Sequence, residues 1–299
     1  MVSKSETLVL IGGAQRSGTT LLQTLLANAL DAPVLPEAHI LCDLMESFKR
    51  AKDAPKKTQY FYANGKDLLG FFRACAERHV ADIAEGVKGA GALVLKDPNF
   101  VRFNAEAASM LPHAIRIVCL RDPRDIAASF LRIGQRETGG EAGKYRRRDI
   151  HFIGKKIVDS YGGLLEGPSP DVHLVRYEAL AAAPKGTLQA LGLETGLDLD
   201  LDRIDNPVWL EREARHDSAW ISALEERAPS TESVGAYKTA MRPREIALLE
   251  DICGSIMDFA GYDRSSPPAR RAADVPAKLA RGIVNRLRRG YWSYRARFP

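Results

Sequence analysis

The 299-residue chain reads as an α/β fold: a central parallel sheet flanked by helices. Three observations predict it. Short β-rich runs alternate with longer helical patterns. Three of the four runs are apolar almost throughout, as expected for parallel strands covered on both faces. Polar and charged motifs fall just after the strands, where open parallel sheets bind ligands. Candidate strands are Thr7–Gly12, Ala92–Lys96, Ile115–Leu120 and Val172–Tyr177. Helical patterns lie near Thr19–Leu30, Lys66–Gly86, Arg124–Ile133, Gly143–Tyr161, Glu178–Leu191 and Pro243–Ala260, the last with proline at its start and Gly261 just past its end. Strands alternating with helices imply βαβ units with right-handed crossovers.

Composition sets the class. Apolar residues make up 45%, enough for a buried core and too many for general disorder. The cysteines, Cys42, Cys75, Cys119 and Cys253, are scattered without a C-x-x-C pair. That argues against a zinc site or a disulfide framework and fits a reducing cytoplasm. No run reaches the roughly 18 apolar residues of a membrane span, so the expectation is a soluble cytoplasmic protein. The net charge of +5 is uneven: residues 264–299 hold ten Arg/Lys and one acidic residue, Asp274, which leaves −4 on residues 1–263. The basic character belongs to the tail and is not a whole-protein nucleic-acid signal. Ser265-Ser266-Pro267-Pro268 reads as a linker. The expected organisation is one α/β domain over 1–263 and a basic, amphipathic helical tail over 264–299, where Leu279, Ile283, Leu287 and Tyr291 recur every four residues. Such a helix suits an anionic membrane surface, packing on the body, or electrostatic guidance of an anion. Residues 49–66 read as an exposed loop, and residues 134–149 as a mobile basic segment that could form a lid.

Three motifs carry chemistry. The first strand runs into Gly13-Ala14-Gln15-Arg16-Ser17-Gly18-Thr19-Thr20, which opens a helix. Gly13 and Gly18 have the spacing of a phosphate-cradling loop, but Thr19 stands where a nucleoside triphosphatase keeps lysine. Loop N–H groups and the positive end of a helix still make an anion site, now with its cation at Arg16. The second motif, Arg121-Asp122-Pro123-Arg124-Asp125, ends the third strand, with Ser129 eight residues after Arg121. An arginine fork and a hydroxyl are apt ligands for a phosphate monoester. The third, Lys96-Asp97-Pro98, places an ammonium at the sheet's carboxyl edge. Each residue alone could be structural: a turn glycine, a basic strand end, a salt-bridged lysine.

Together these motifs resemble those of the sulfotransferases, which move a sulfuryl group from 3′-phosphoadenosine 5′-phosphosulfate (PAPS) to a hydroxyl without a metal. The resemblance covers most of residues 7–263 and is nearer the bacterial and protein-tyrosine branch than the cytosolic phenol and steroid branch. It implies that Gly13, Gln15, Arg16, Ser17, Gly18, Thr19 and Thr20 bind the 5′-phosphosulfate, and that Arg121 and Ser129 bind the 3′-phosphate. It also implies that Lys96 and Arg16 offset charge in the transfer. Glu37, 21 residues after Arg16, matches the spacing of the tyrosine branch's catalytic glutamate, with His39 the rival base. Tyr177 in Val175-Arg176-Tyr177-Glu178 and the pair Ser233 and Lys238 complete the expected donor site. Tyr237 stands where relatives often carry tryptophan, and the R-K-G triplet of the cytosolic branch is absent from Pro229–Glu232. A glycan, lipid or natural-product acceptor is favoured, with peripheral membrane contact through residues 275–299. A P-loop kinase and a non-catalytic nucleotide-binding protein remain the alternatives; Mg²⁺-dependent ATP turnover would mark the first, and binding without consumption the second.

Overall fold

The computed structural model describes residues 7–62, 64–87, 90–136, 142–165, 171–209 and 229–265. Strands β1 (Thr7–Gly13), β2 (Ala92–Lys96), β3 (Ile115–Leu120) and β4 (Val172–Arg176) form a sheet in the order β2-β1-β3-β4, every neighbouring pair parallel. All four run at the positions read from the sequence. In β1, β2 and β3 side chains alternate between two covered faces, as the two-residue period of a strand requires, whereas the edge strand β4 buries only Val175. Val9, Ile11, Val94, Ile117 and Cys119 pack on one face against α1 (Thr19–Ala29), α8 (Tyr177–Ala182) and α9 (Pro184–Thr195). On the other face Leu8, Leu10, Leu93 and Leu95 meet α2 (His39–Asp53), α4 (Gly65–Gly86) and α5 (Asn104–Met110). Val118 and Leu120 meet α6 (Pro123–Arg136), α7 (Ile150–Leu165), α11 (Pro243–Ile252) and α12 (Gly254–Ala260).

Several expectations about boundaries are corrected. Residues 49–66 are not simply a loop: α2 continues to Asp53 and a short α3 (Pro55–Thr58) follows, because Phe48 turns inward and packs at a tilt against Phe72 while Pro55 pre-sets the next turn. The helix read over Gly143–Tyr161 starts later, at Ile150, after a 3₁₀ turn over Ala142–Arg147; Arg148, at φ +54°, breaks the path. The basic stretch 134–149 is anchored wherever it is described, so it is no loose lid there. Tyr145 is buried and stacks on Phe130 at 4.6 Å, and Arg148 ion-pairs with Glu245 at 2.6 Å. Gly134 lies so close to that turn that a Cβ on it would meet the Arg146 nitrogen at 2.5 Å. The single helix read over Glu178–Leu191 is two, since Pro184 cannot continue α8. That over Pro243–Ala260 is two as well, with the step at Cys253. The tail beyond Ser265 and its candidate helix lie outside the described residues. No helix among the described residues is long and apolar enough to cross a membrane.

Candidate active site

The carboxyl ends of β1, β2 and β3 come together at one edge of the sheet, and each delivers one of the three motifs. After β1 the chain turns through a loop that only its glycines permit. Gly18, the residue before α1, has φ +99°, and a Cβ there would lie 2.3 Å from the Tyr177 ring. Arg16 is itself left-handed at φ +72°, a conformation that costs a non-glycine residue about 1 kcal/mol or more and clusters at functional sites. That turn sends its guanidinium across to α6, where Nε donates to Ser129 Oγ at 3.1 Å.

Arg121, ending the β3 segment, ties the loop from the other side. It donates to the carbonyl of Arg16 at 2.9 Å and to that of Ser233 at 2.8 Å, and its guanidinium lies 4.1 Å from the centre of the Tyr177 ring. The Tyr177 hydroxyl and Ser233 Oγ are 2.6 Å apart. Six residues expected at the donor site (Arg16, Gly18, Arg121, Ser129, Tyr177 and Ser233) therefore form one connected cluster, although they are spread over more than 200 positions of sequence. Arg121 Nε and Gln15 Oε1 are buried there without hydrogen-bond partners. A buried guanidinium N–H with nothing to donate to is costly unless an anion or other acceptor arrives, which fits a phosphorylated ligand. Thr19 is buried and Thr20 half-buried at the start of α1, beside Gly13 and Ser17 of the loop. Lys238, exposed on α10 (Tyr237–Ala240), is not among the side chains that meet in this cluster.

The sequence reading passed over the device that holds Ser233 in place. Asp125, 1% exposed in the first turn of α6, accepts the N–H groups of Gly235 at 2.8 Å and Tyr237 at 3.0 Å. Burial pushes its carboxyl above the ordinary aspartate range, against those two N–H groups and Arg121. Below the loop, Tyr161 donates to the Cys119 carbonyl at 2.9 Å, and the Cys119 thiol contacts the Ser17 carbonyl at 3.1 Å; burial pushes that thiol up to about 12.

The second half of the site lies at the end of β2. Gln23 of α1, 1% exposed, donates to the carbonyls of Leu35 and Val94 and so ties residues 33–38 alongside β2. Ala38 then donates to the Lys96 carbonyl, and Glu37 forms an isolated parallel bridge with Lys96. The two expected catalytic residues, 59 positions apart, meet here: Lys96 Nζ lies 2.6 Å from Glu37 Oε1. The ammonium is nearly buried and the carboxylate is 36% exposed. His39, the first residue of α2, stands beside them with Nε2 3.5 Å from Glu37 Oε2 and Nδ1 2.8 Å from Asp97 Oδ2. Asp97 is fully buried; its Oδ1 accepts from the Asn99 N–H and side-chain amide. Burial pushes its carboxyl upward too. Glu37, His39 and Asp97 each bring a metal-ligand type of atom within 4.8 Å of the others. The Lys96 ammonium on Glu37 disfavours a cation there, so the cluster is better suited to holding and moving a proton.

An edge that combines an anion cradle, a guanidinium fork and a base beside an ammonium suits transfer of a charged group from a phosphorylated donor. Comparison with known proteins agrees. Among solved structures, the sulfotransferase domain from the curacin biosynthetic pathway aligns over 85% of this chain and 98% of its own, with 17% identity and a TM-score of 0.53. The sulfotransferase domain from the Synechococcus PCC 7002 olefin synthase aligns over 84% and 96%, again at 17% identity, with a TM-score of 0.52. These likenesses establish a shared fold. No curated protein matches the sequence. The sequence model of the sulfotransferase family matches residues 9–201, about two thirds of the chain and the part that carries all three motifs, and on that match the chain belongs to the sulfotransferase family.

Proposed function

We propose that the chain transfers the sulfuryl group of PAPS to a hydroxyl acceptor. One observation carries the reading. Arg16–Ser129 and Arg121–Arg16 hydrogen bonds bring the loop after β1 and the element after β3 side by side, an arrangement that suits a ligand with two anionic groups. PAPS has a 5′-phosphosulfate and a 3′-phosphate; ATP has one polyphosphate chain. Loop amides, Arg16, Thr19 and Thr20 hold the phosphosulfate, and Arg121 with Ser129 holds the 3′-phosphate. Ser233 and Tyr177 wall that end. Lys96 offsets charge on the bridging oxygen as it departs, and the acceptor's proton leaves toward the Glu37–His39 end. Positioning and electrostatics supply the rate, as in phosphoryl transfer. The sulfuryl group carries less charge than a phosphoryl group, so the scheme invokes no metal. The acceptor is a hydroxyl of a glycan, lipid or natural product. The basic residues 264–299 favour an anionic acceptor or contact with an anionic membrane surface.

Calorimetric titration with adenosine 3′,5′-bisphosphate tests the reading, with ATP–Mg²⁺ and adenosine 5′-monophosphate as controls. Binding that needs the 3′-phosphate is expected. Preference for ATP–Mg²⁺ would point to a kinase instead, and no binding would overturn the assignment.

A further inference from the structure

We propose that the turn after α3, with Tyr60 and Phe61 at its tip and Lys56, Lys57 and Lys66 around it, docks the protein on an anionic membrane surface. This surface is separate from the basic residues 264–299, and the proposal does not depend on the sulfuryl-transfer reading.

The argument starts from two rings in water. Tyr60 is 84% exposed and Phe61 82%, although rings of that size stabilise most when buried. The backbone beneath them is ordered. The Gln59 N–H donates to the Pro55 carbonyl at 3.0 Å, and the N–H groups of Phe61 and Tyr62 both donate to that of Thr58, at 2.9 and 3.0 Å. Asn64 then caps α4 by accepting from the N–H groups of Lys66 and Asp67. Behind the turn an aromatic ladder runs into the core. Tyr62 lies 5.9 Å from Phe71, Phe71 5.3 Å from Phe72, and Phe72 5.4 Å from the buried Phe48. Phe71 is itself 50% exposed. The tip thus presents its rings from a fixed support, and little ordering is needed to bury them.

Charge selects the partner. Residues 49–66 carry six Lys/Arg and one acidic residue, Asp53, within a body whose residues 1–263 sum to −4. The inner cations of this stretch are paired, Lys49 and Lys52 with Glu106 and Arg50 with Glu46. Lys56, Lys57 and Lys66 are exposed and have no ion-pair partner among the described residues. Asp53 and Asp67, the exposed carboxylates within residues 49–71, still leave a surplus of cations. Lysine is depleted at protein–protein interfaces. Aromatic rings beside lysines suit the headgroup level of a bilayer, where rings enter the acyl boundary and ammonium groups reach anionic phosphates. The turn and the candidate active site stand at opposite ends of α2, 15 residues and about 22 Å apart, so the rings can enter a bilayer without covering that site.

Co-sedimentation of the full-length protein at low ionic strength tests the proposal, using phosphatidylcholine vesicles with and without one part in four of phosphatidylglycerol. Binding to the anionic vesicles and little to the neutral ones is expected. Tyr60→Ser/Phe61→Ser should weaken it by about 10-fold or more. Lys56→Gln/Lys57→Gln should weaken it by about 10-fold, an effect that disappears at high salt. These side chains are exposed, so both variants should keep the wild-type Tm. Phe61→Trp reads the turn itself: brominated lipid should quench its fluorescence beyond the quenching of the three native tryptophans in the wild type. No binding to anionic vesicles, equal binding to neutral ones, undiminished binding of both double variants, or no added quenching in Phe61→Trp would each overturn the proposal. A wild-type dimer that dissociates in Tyr60→Ser/Phe61→Ser, with vesicle binding unchanged, would also overturn it and assign the rings to a second copy of the chain.

Discussion

The two ends of the site are built on opposite principles. At the donor end, side chains are locked before any ligand arrives: Arg121 is pinned to the carbonyls of Arg16 and Ser233, Tyr177 to Ser233, and Arg16 to Ser129. At the other end, the base end of the proposed scheme, Lys96, Glu37, His39 and Asp97 form a line of ionisable groups in mutual contact, open to solvent at Glu37 and His39. Rigid donors can bind a ligand that is the same in every turnover, because preorganisation lowers the cost of binding. Groups that must change charge state cannot be locked in the same way. Substitutions at the donor end should therefore alter affinity, and those at the base end should alter rate.

The largest expected effect is at the base end. In the proposed scheme Lys96→Ala removes the counter-charge for the departing oxygen, and turnover of PAPS should fall by about 10²–10³-fold. Affinity for adenosine 3′,5′-bisphosphate, measured by calorimetry, should stay within about 3-fold, because the scheme assigns that product to the other motifs. Equal losses in both would erase the distinction between the two ends.

Arg121→Ala is the donor-end counterpart. Losing a charged hydrogen-bonding group of this kind costs about 1.5–3 kcal/mol, or about 10–100-fold in affinity for adenosine 3′,5′-bisphosphate. Weak binding of adenosine 5′-monophosphate should be nearly unchanged, since it lacks the 3′-phosphate. A uniform loss for both ligands would mean that Arg121 only holds the loop together through Arg16.

Gly18→Ala sharpens the comparison through stability. The new methyl must occupy space 2.3 Å from the Tyr177 ring in a left-handed conformation at φ +99°. Strain of this kind costs about 1–3 kcal/mol, and each kcal/mol lowers Tm by about 2–4 °C in a domain of 150–250 residues. Thermal unfolding and calorimetry together should show a lower Tm and weaker adenosine 3′,5′-bisphosphate binding.

How much of this was legible in the sequence depended on how local each cause was. β1 and its loop were readable because apolar strand, glycines and helix are contiguous, and Arg121 with Ser129 through their resemblance to the family's 3′-phosphate motif. The bringing together of Glu37 and Lys96 was readable only in outline. The physical cause is Gln23 reaching from α1 to Leu35 and Val94, and a lone buried glutamine announces nothing about its partners. Tyr145 was missed for a related reason. It lies within a run of basic residues that looks solvated, yet its ring stacks on Phe130 of a helix already placed. The helix breaks at Pro184 and Pro55 were signalled by proline itself, whereas the break at Cys253 carries no such mark. Asp97 was visible only as lysine's neighbour; its contact with His39, 58 positions earlier, was not.

The smallest effect tests whether the strap from Ser233 to Tyr237 belongs to the rigid end. Asp125→Asn keeps one acceptor oxygen for the N–H groups of Gly235 and Tyr237 where the carboxylate offers two. At acid pH, where the carboxyl is protonated, the variant's amide replaces a neutral acid of the same shape, and about 1 kcal/mol of stability should be lost through the disturbed hydrogen bonds to the strap, with a modest fall in affinity for adenosine 3′,5′-bisphosphate. The pH dependence has a definite sign. Burial raises the Asp125 carboxyl in the folded state above its unfolded value. Its stabilising contribution is thus present below the ordinary aspartate range and is lost as pH rises through the folded value. The asparagine variant does not titrate there. Its deficit relative to wild type should therefore narrow as pH rises from the ordinary aspartate range, as read from Tm differences at matched ionic strength. A deficit that widened would mean that the ionised carboxylate is favoured by the strap's N–H groups and Arg121 more than burial opposes it, and Asp125 would then be a net electrostatic anchor of the donor end.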